Sequence, residues 1–231
     1  MSRLLPPAEV EYPSSNGKPI AETGIHVQAI LLLFQALEDA LARAGKPDAF
    51  IAADMYWYWQ QGDPKKRLAP DLMVVPGAGR HHRRSFKSWA EGGRVPAAVI
   101  EVSSDKTAEY DRGKKLRRYQ RLRVAECFLF DPEGLYLPAP LMGYRLTGGK
   151  YVRLTAAAGR LTSDLGFGLA AEGQMLRLFD GSTGQPIPTL NEAVAAARAA
   201  LAEGERAAAE AVWVAAAEIA RLRALLDERG P

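Results

Sequence analysis

Two carboxylates stand inside runs of residues that otherwise belong in a protein interior. Asp71 lies in Ala69-Pro70-Asp71-Leu72-Met73-Val74-Val75-Pro76, and Glu101 in Ala97-Ala98-Val99-Ile100-Glu101-Val102-Ser103. An ionised carboxylate removed from water is costly unless it is paired or binds a cation. Alternation along an extended chain puts Val99, Glu101 and Ser103 on one face and Ala98, Ile100 and Val102 on the other, while Asp71 shares a face with Met73. If the two strands are neighbours, both carboxylates can converge on one hard divalent ion, with the main-chain carbonyl of Val102 as a further oxygen ligand. Downstream, Asp111, Lys115 and Tyr119 are spaced i, i+4, i+8 and line one helical face, from which Lys115 can swing its ammonium over the end of the Glu101 strand. Hydrolysis of a phosphodiester uses these parts: a metal to polarise the phosphoryl oxygen and activate water, and a cation against the developing charge.

The same residues also have purely structural readings. Asp71, following a proline, suits a turn or cap. Glu101 suits an ion pair with an arginine, and Asp111–Lys115 suits an exposed i,i+4 pair worth only about 0.3–0.5 kcal/mol. Spacing alone does not choose between the two sets.

The elements that must position these groups are legible in outline. Leu33, Leu37 and Leu41 recur with Ile30 and Phe34 at helical spacing, predicting a helix over Gly24 to Ala44 that Gly45 and Pro47 terminate. Phe50 to Trp59, Ala69 to Pro76 and Ala97 to Ser103 read as strands. Residues 77–94 read as a polar connection with a helical hint around Ser85 to Glu91. Thr107 to Arg123 is a basic helix, Glu126 to Phe130 a strand, and Tyr144–Leu146 with Tyr151–Leu154 a hairpin about Gly148-Gly149. Irregular structure is expected from there to a strand over Met175 to Phe179. This order gives a mixed α/β sheet with helices packed on it. From Glu192 to Glu228 alanine dominates, and Val194, Leu201, Ala208, Val212, Ala215, Ile219, Leu222 and Leu226 form a heptad-like seam. The chain therefore divides into a body, 1–188, and a helical extension, 189–231, read as a coiled coil or helical hairpin through which copies associate, the structural alternative being a solitary helix lying on the body.

Composition narrows the function classes. No apolar run approaches the roughly 18 residues of a spanning segment, and Met1 to Pro7 lacks the apolar stretch of a secretory leader. The single cysteine, Cys127, sits in an apolar strand; it excludes an internal disulfide and suits a reducing cytoplasm. One cysteine and three histidines argue against a Cys/His zinc site. The net charge is +3, yet from Thr189 onward there are five Arg and seven Asp or Glu, so the body is the basic part. Basic residues gather in Gly79 to Arg94 and in Lys106 to Arg123, a pattern compatible with a phosphate-rich partner.

Taken together, these segments resemble the Uma2 family of restriction-endonuclease-like proteins. The resemblance rests on Ala69 to Val75, on Glu101-Val102-Ser103-Ser104 followed by Asp111, Lys115 and Tyr119, and on Val124 to Pro132. Tyr12 to Gly17 with Ala21-Glu22, and Leu176 to Asp180, extend it over roughly residues 10–190. It implies a PD-(D/E)xK core and cleavage of DNA, held mainly by its backbone, that depends on Mg2+ or, as an alternative ion, Mn2+. By that resemblance Asp71 and Glu101 are the acidic metal ligands. The position two residues after the glutamate holds Ser103, and the lysine is Lys115 on the following helix, Lys114 being out of register. Glu22 is an additional acidic candidate. The alternative is a non-catalytic nucleic-acid-binding or oligomeric assembly protein that retains the nuclease fold.

Overall fold

The computed structural model describes residues 10–15 and 23–227; Glu22 lies outside the described residues. The chain divides into two compact units between Ile187 and Pro188.

In the first unit, helix α1 (Gly24–Arg43) starts where the Thr23 hydroxyl accepts the His26 amide and ends before Gly45, whose positive φ closes the last turn. Its length and apolar composition would suffice to cross a membrane. Its stripe of Ala29, Ile30, Leu33, Leu37, Ala40 and Leu41 is instead buried in the core of this unit.

The strands are β1 (Phe50–Ala53), β2 (Trp57–Tyr58), β3 (Arg67–Leu68), β4 (Leu72–Val75), β5 (Phe86–Lys87), β6 (Ala98–Val102), β7 (Glu126–Phe130), β8 (Leu141–Thr147), β9 (Lys150–Arg153), β10 (Leu161–Thr162), β11 (Phe167–Glu172) and β12 (Met175–Asp180). A six-stranded sheet runs β1-β4-β6-β7-β8-β9, and two three-stranded sheets run β10-β11-β12 and β3-β2-β5. Within the large sheet only β6 and β7 are parallel. Parallel neighbours need a crossover, here a helical run of α2 (Ala108–Tyr110), a π turn (Asp111–Lys115) and α3 (Leu116–Arg121). The mixed α+β class expected from the sequence is therefore the architecture observed.

Both faces of the central strands are covered, which is why β4, β6 and β7 are buried end to end. Ala98, Ile100 and Val102 face the core shared with α1 and the β10–β12 sheet. Val99, Cys127 and Leu129 face a second core with Tyr119, Trp57 and Phe86. Gly148 and Gly149, both at positive φ, make the two-residue turn between β8 and β9, the geometry favoured in tight hairpins.

Three local expectations change. Phe50 to Trp59 is not one strand, because Asp54 adopts a positive φ and sends β1 and β2 into different sheets. The helical hint at Ser85 to Glu91 resolves into β5 and a 3-10 turn, Ser88–Glu91. The stretch expected to be irregular holds β10 and β11, with which β12 builds a sheet.

Among the described residues the second unit holds one uninterrupted helix, α4 (Leu190–Asp227), so the hairpin alternative does not hold over that range. Leu201, Val212, Trp213, Ile219 and Leu222 on it are exposed.

Candidate functional site

Antiparallel register brings the two carboxylates together. Leu72 pairs with Ile100, so Asp71, one residue before β4, falls opposite Glu101 near the carboxyl end of β6. Side chains opposite each other on one face have Cβ atoms roughly 4.5–5.5 Å apart. The Asp71 amide donates to Glu101 Oε2 at 3.2 Å, and the Val102 amide donates to Asp71 Oδ2 at 2.7 Å. In an extended strand a residue's N–H and C=O leave on the same side, so the Val102 carbonyl faces the Asp71 edge as well.

The crossover helix supplies the rest. Lys115 Nζ donates to Glu101 Oε2 at 2.6 Å and lies 3.6 Å from Asp111 Oδ1. The Tyr119 hydroxyl donates to Glu101 Oε1. In a regular α-helix, eight residues at about 100° each overshoot two turns by about 80°, which would carry Tyr119 away from Asp111. The π turn at Asp111–Lys115 takes up that excess, and Asp111, Lys115 and Tyr119 all face inward, each under 10% exposed. Asp111–Lys115 is thus not the exposed surface pair that its spacing also allowed.

The electrostatics follow from burial. Desolvation pushes the Asp71 carboxyl up to about 6, against the pull of Lys115 and the Val102 amide. Desolvation also raises Glu101, with the Asp71 and Asp111 charges adding to it and Lys115 opposing. Burial by itself would lower Lys115, but Glu101, Asp71 and Asp111 outweigh it and hold the ammonium above its ordinary value. Desolvation raises the Cys127 thiol far above its ordinary value, so it is no nucleophile. Three carboxylates face one lysine, which leaves negative charge in surplus when all are ionised.

Whether this set suits a divalent ion depends on which oxygens remain open. Among the described residues Asp71 Oδ1 has no protein donor, and the side chain is 14% exposed. Glu101, fully buried, accepts from the Asp71 amide, Lys115 and Tyr119, leaving one of about four lone-pair positions. No three His, Cys, Asp or Glu side chains among the described residues make a ready-made metal cage. Mg2+ does not demand one, since it is commonly held by one or two carboxylates completed by water and substrate phosphate. The surplus charge and hard oxygen donors fit such an ion.

One residue at the site escaped the sequence reading. His26, on the first turn of α1, is 4% exposed with Nε2 3.9 Å from Asp71 Oδ2. Its Nδ1 is buried without a hydrogen-bond partner among the described residues. The signal was present: His26 is in step with Ile30, Leu33 and Leu37, a polar residue in an apolar stripe.

The expected basic segment Gly79 to Arg94 is largely committed elsewhere. Arg83 is buried, bonded to Glu91 and to the carbonyls of Ala78, Gly79 and His81; Arg80 pairs with Glu38; Arg94 donates to the Glu91 carbonyl.

Residues 2–175 match the protein family described as "Uma2: Putative restriction endonuclease". Among solved structures, the chain is similar to a crystal structure of "a putative nuclease belonging to DUF820" from Anabaena variabilis ATCC 29413. The two are 15% identical, with 65% of this chain and 79% of that chain covered and a TM-score of 0.44. No curated protein matches the chain.

Proposed function

The chain belongs to the Uma2 family, and from that membership and the site at the end of β6 we propose that the protein is a Mg2+-dependent endonuclease hydrolysing DNA phosphodiester bonds. The observation that carries this reading is the convergence of Asp71 and Glu101 from adjacent strands with Lys115 from the crossover between β6 and β7.

Asp71, Glu101 and the Val102 carbonyl would hold the ion, Mg2+ or, with the same donors, Mn2+. When bound, a divalent ion supplies charge against the phosphoryl oxygens and makes water a better nucleophile near neutral pH. The residues around it have separable tasks. Lys115 stays protonated, and its ammonium can oppose charge developing on the phosphate without reorganising. Tyr119 fixes one oxygen of Glu101, and the Val102 amide fixes one oxygen of Asp71. Ser103 holds the position where a lysine would follow the glutamate directly; it directs its hydroxyl to Asp111 at 3.5 Å. Lys115 therefore occupies by tertiary approach the role that sequence adjacency would otherwise fill.

The test is nicking of supercoiled plasmid DNA by purified protein with and without Mg2+, alongside Asp71→Ala and Lys115→Ala. Metal-dependent nicking lost in both variants is expected; three proteins that behave alike would sink the catalytic reading.

A second reading draws on α4, whose exposed Leu201, Val212, Ile219 and Leu222 lie on the heptad-like seam. It makes the protein a self-associating nucleic-acid-binding assembly, with the nuclease fold as scaffold.

A further inference from the structure

We propose that the outward face of the crossover helix, continued by the turn between β2 and β3, is a track for the phosphate backbone of nucleic acid, separate from the carboxylate site. The helix has two faces of opposite character. Asp111, Lys115 and Tyr119 point into the protein. Lys114, Arg117, Arg118 and Arg121, at i, i+3, i+4 and i+7, line the other side.

Three hollows follow one another along that side and share their walls. Lys106, Tyr110, Lys114 and Arg117 line the first; Tyr110, Lys114, Arg117, Arg118 and Arg121 line the second; Arg118 and Arg121 continue into a third with Trp59, Lys65 and Lys66. Glu109 and Asp63 are the carboxylates at its two ends.

Among the described residues no carboxylate stands within ion-pairing distance of Lys65, Lys66, Lys114, Arg117, Arg118 or Arg121. Like charges at these helical spacings repel, so the stripe carries a folding cost that no ion-paired carboxylate among the described residues offsets. A polyanion would offset it. Arginines elsewhere in this unit are treated differently: Arg83 is buried with Glu91 and Arg145 is tied to Glu126. Aromatic faces accompany the cations. Tyr110 is 43% exposed, and the Arg118 guanidinium lies 5.9 Å from the Trp59 ring centroid. Cations interleaved with rings suit phosphates flanked by bases, and Leu122, the aliphatic side chain that lines the third hollow, is partly buried against the core rather than standing out as one that enters a lipid surface.

The choice of nucleic acid over another polyanion rests on the nuclease reading, but the track does not rest on catalysis. Neither Asp71 nor Glu101 lines any of the three hollows, so the outer-face cations would anchor the flanking strand rather than the reacting phosphate. Affinity, not turnover, is then what they set.

Anisotropy of a labelled DNA oligonucleotide with the full chain, in EDTA so that nothing is cleaved, tests this across a salt titration. The variants are the triple change Lys114→Gln, Arg117→Gln, Arg121→Gln, with Arg80→Gln as the control and circular dichroism to show that each is folded. The triple variant is expected to lose roughly tenfold or more in affinity and about 2.7 from the slope of log affinity against log salt, near 0.9 for each phosphate that no longer meets a cation. The control, whose arginine is paired with Glu38, should bind like wild type. Equal slopes for the triple variant and wild type would overturn the proposal. So would binding to phosphatidylserine vesicles in place of DNA. If the triple variant loses binding while wild type fails to nick plasmid with Mg2+, the track stands and the nuclease reading falls.

Discussion

Replacing Asp71 with asparagine should make the metal-free protein more stable while removing its activity. At neutral pH Asp71 is an ionised group that burial has pushed up to about 6 from an ordinary 3.8. At about 1.36 kcal/mol per pKa unit, holding it ionised in the folded protein costs up to about 3 kcal/mol. Its 14% exposure lets water in, so the recoverable part is about 1–3 kcal/mol. The asparagine oxygen can still accept the Val102 amide, and Glu101 loses a like charge that helps to raise it.

The sign of the pH dependence follows. Because the folded carboxyl has the higher pKa, the native state binds more protons between about pH 4 and 6, and stability falls as pH rises through that window. Asp71→Asn should flatten that fall. Saturating Mg2+ should reverse the order, since an ion at 100 times its Kd stabilises the protein that binds it by about 2.7 kcal/mol. The assay is urea unfolding of both proteins from about pH 3.5 to about 8, with EDTA or with Mg2+, limits that bracket the window roughly set by the carboxyl. A variant less stable than wild type by more than about 1 kcal/mol in EDTA, or equally stabilised by Mg2+, would refute the reasoning and make Asp71 a structural cap.

Other perturbations separate the remaining roles. Lys115→Met removes the ammonium that faces three carboxylates, and urea unfolding should show a loss of about 3–5 kcal/mol, with nicking down about a hundredfold or more. Tyr119→Phe deletes one donor to Glu101 and should cost about 1–2 kcal/mol, lowering kcat with little change in KM; an unchanged kcat would deny it a positioning role. His26→Asn should weaken Mg2+ binding, measured calorimetrically, by about tenfold or more, as for partners that orient metal ligands; unchanged affinity would leave His26 a packing residue. Sedimentation of the full chain against one ending at Thr189 should show a larger assembly only for the full chain if the α4 seam associates; identical monomeric masses would end the second reading.

Much of the site was readable because buried charge is conspicuous. Asp71 and Glu101 stood out as carboxylates in apolar strands, and alternation alone placed Val99 and Glu101 on the face opposite Ile100 and Val102. The strands β4, β6 and β7, the helix α1 and the glycine turn of the β8–β9 hairpin were legible for the same reason: local periodicity and turn chemistry act within a few residues. Cys127 read correctly as a buried strand residue.

Other features arise from residues distant in sequence. The basic character of Arg80, Arg83 and Arg94 said nothing of Glu38 or Glu91, which bind them only once the chain has folded. The sheet of β10 and β11 exists because β12 pairs with it, and two- to six-residue strands carry too little local signal to declare themselves. His26 looked like an ordinary polar residue until α1 set it beside Asp71. The π turn is a backbone event that no residue type announces, yet it turns Lys115 inward and leaves Lys114 and Arg117 outside. Which charges need a reason to be buried is written in the chain itself, because it depends only on the apolar residues beside them. Which charges meet is a matter of tertiary structure, because register and crossover geometry alone set Asp71 opposite Glu101 and bring Lys115 to Glu101.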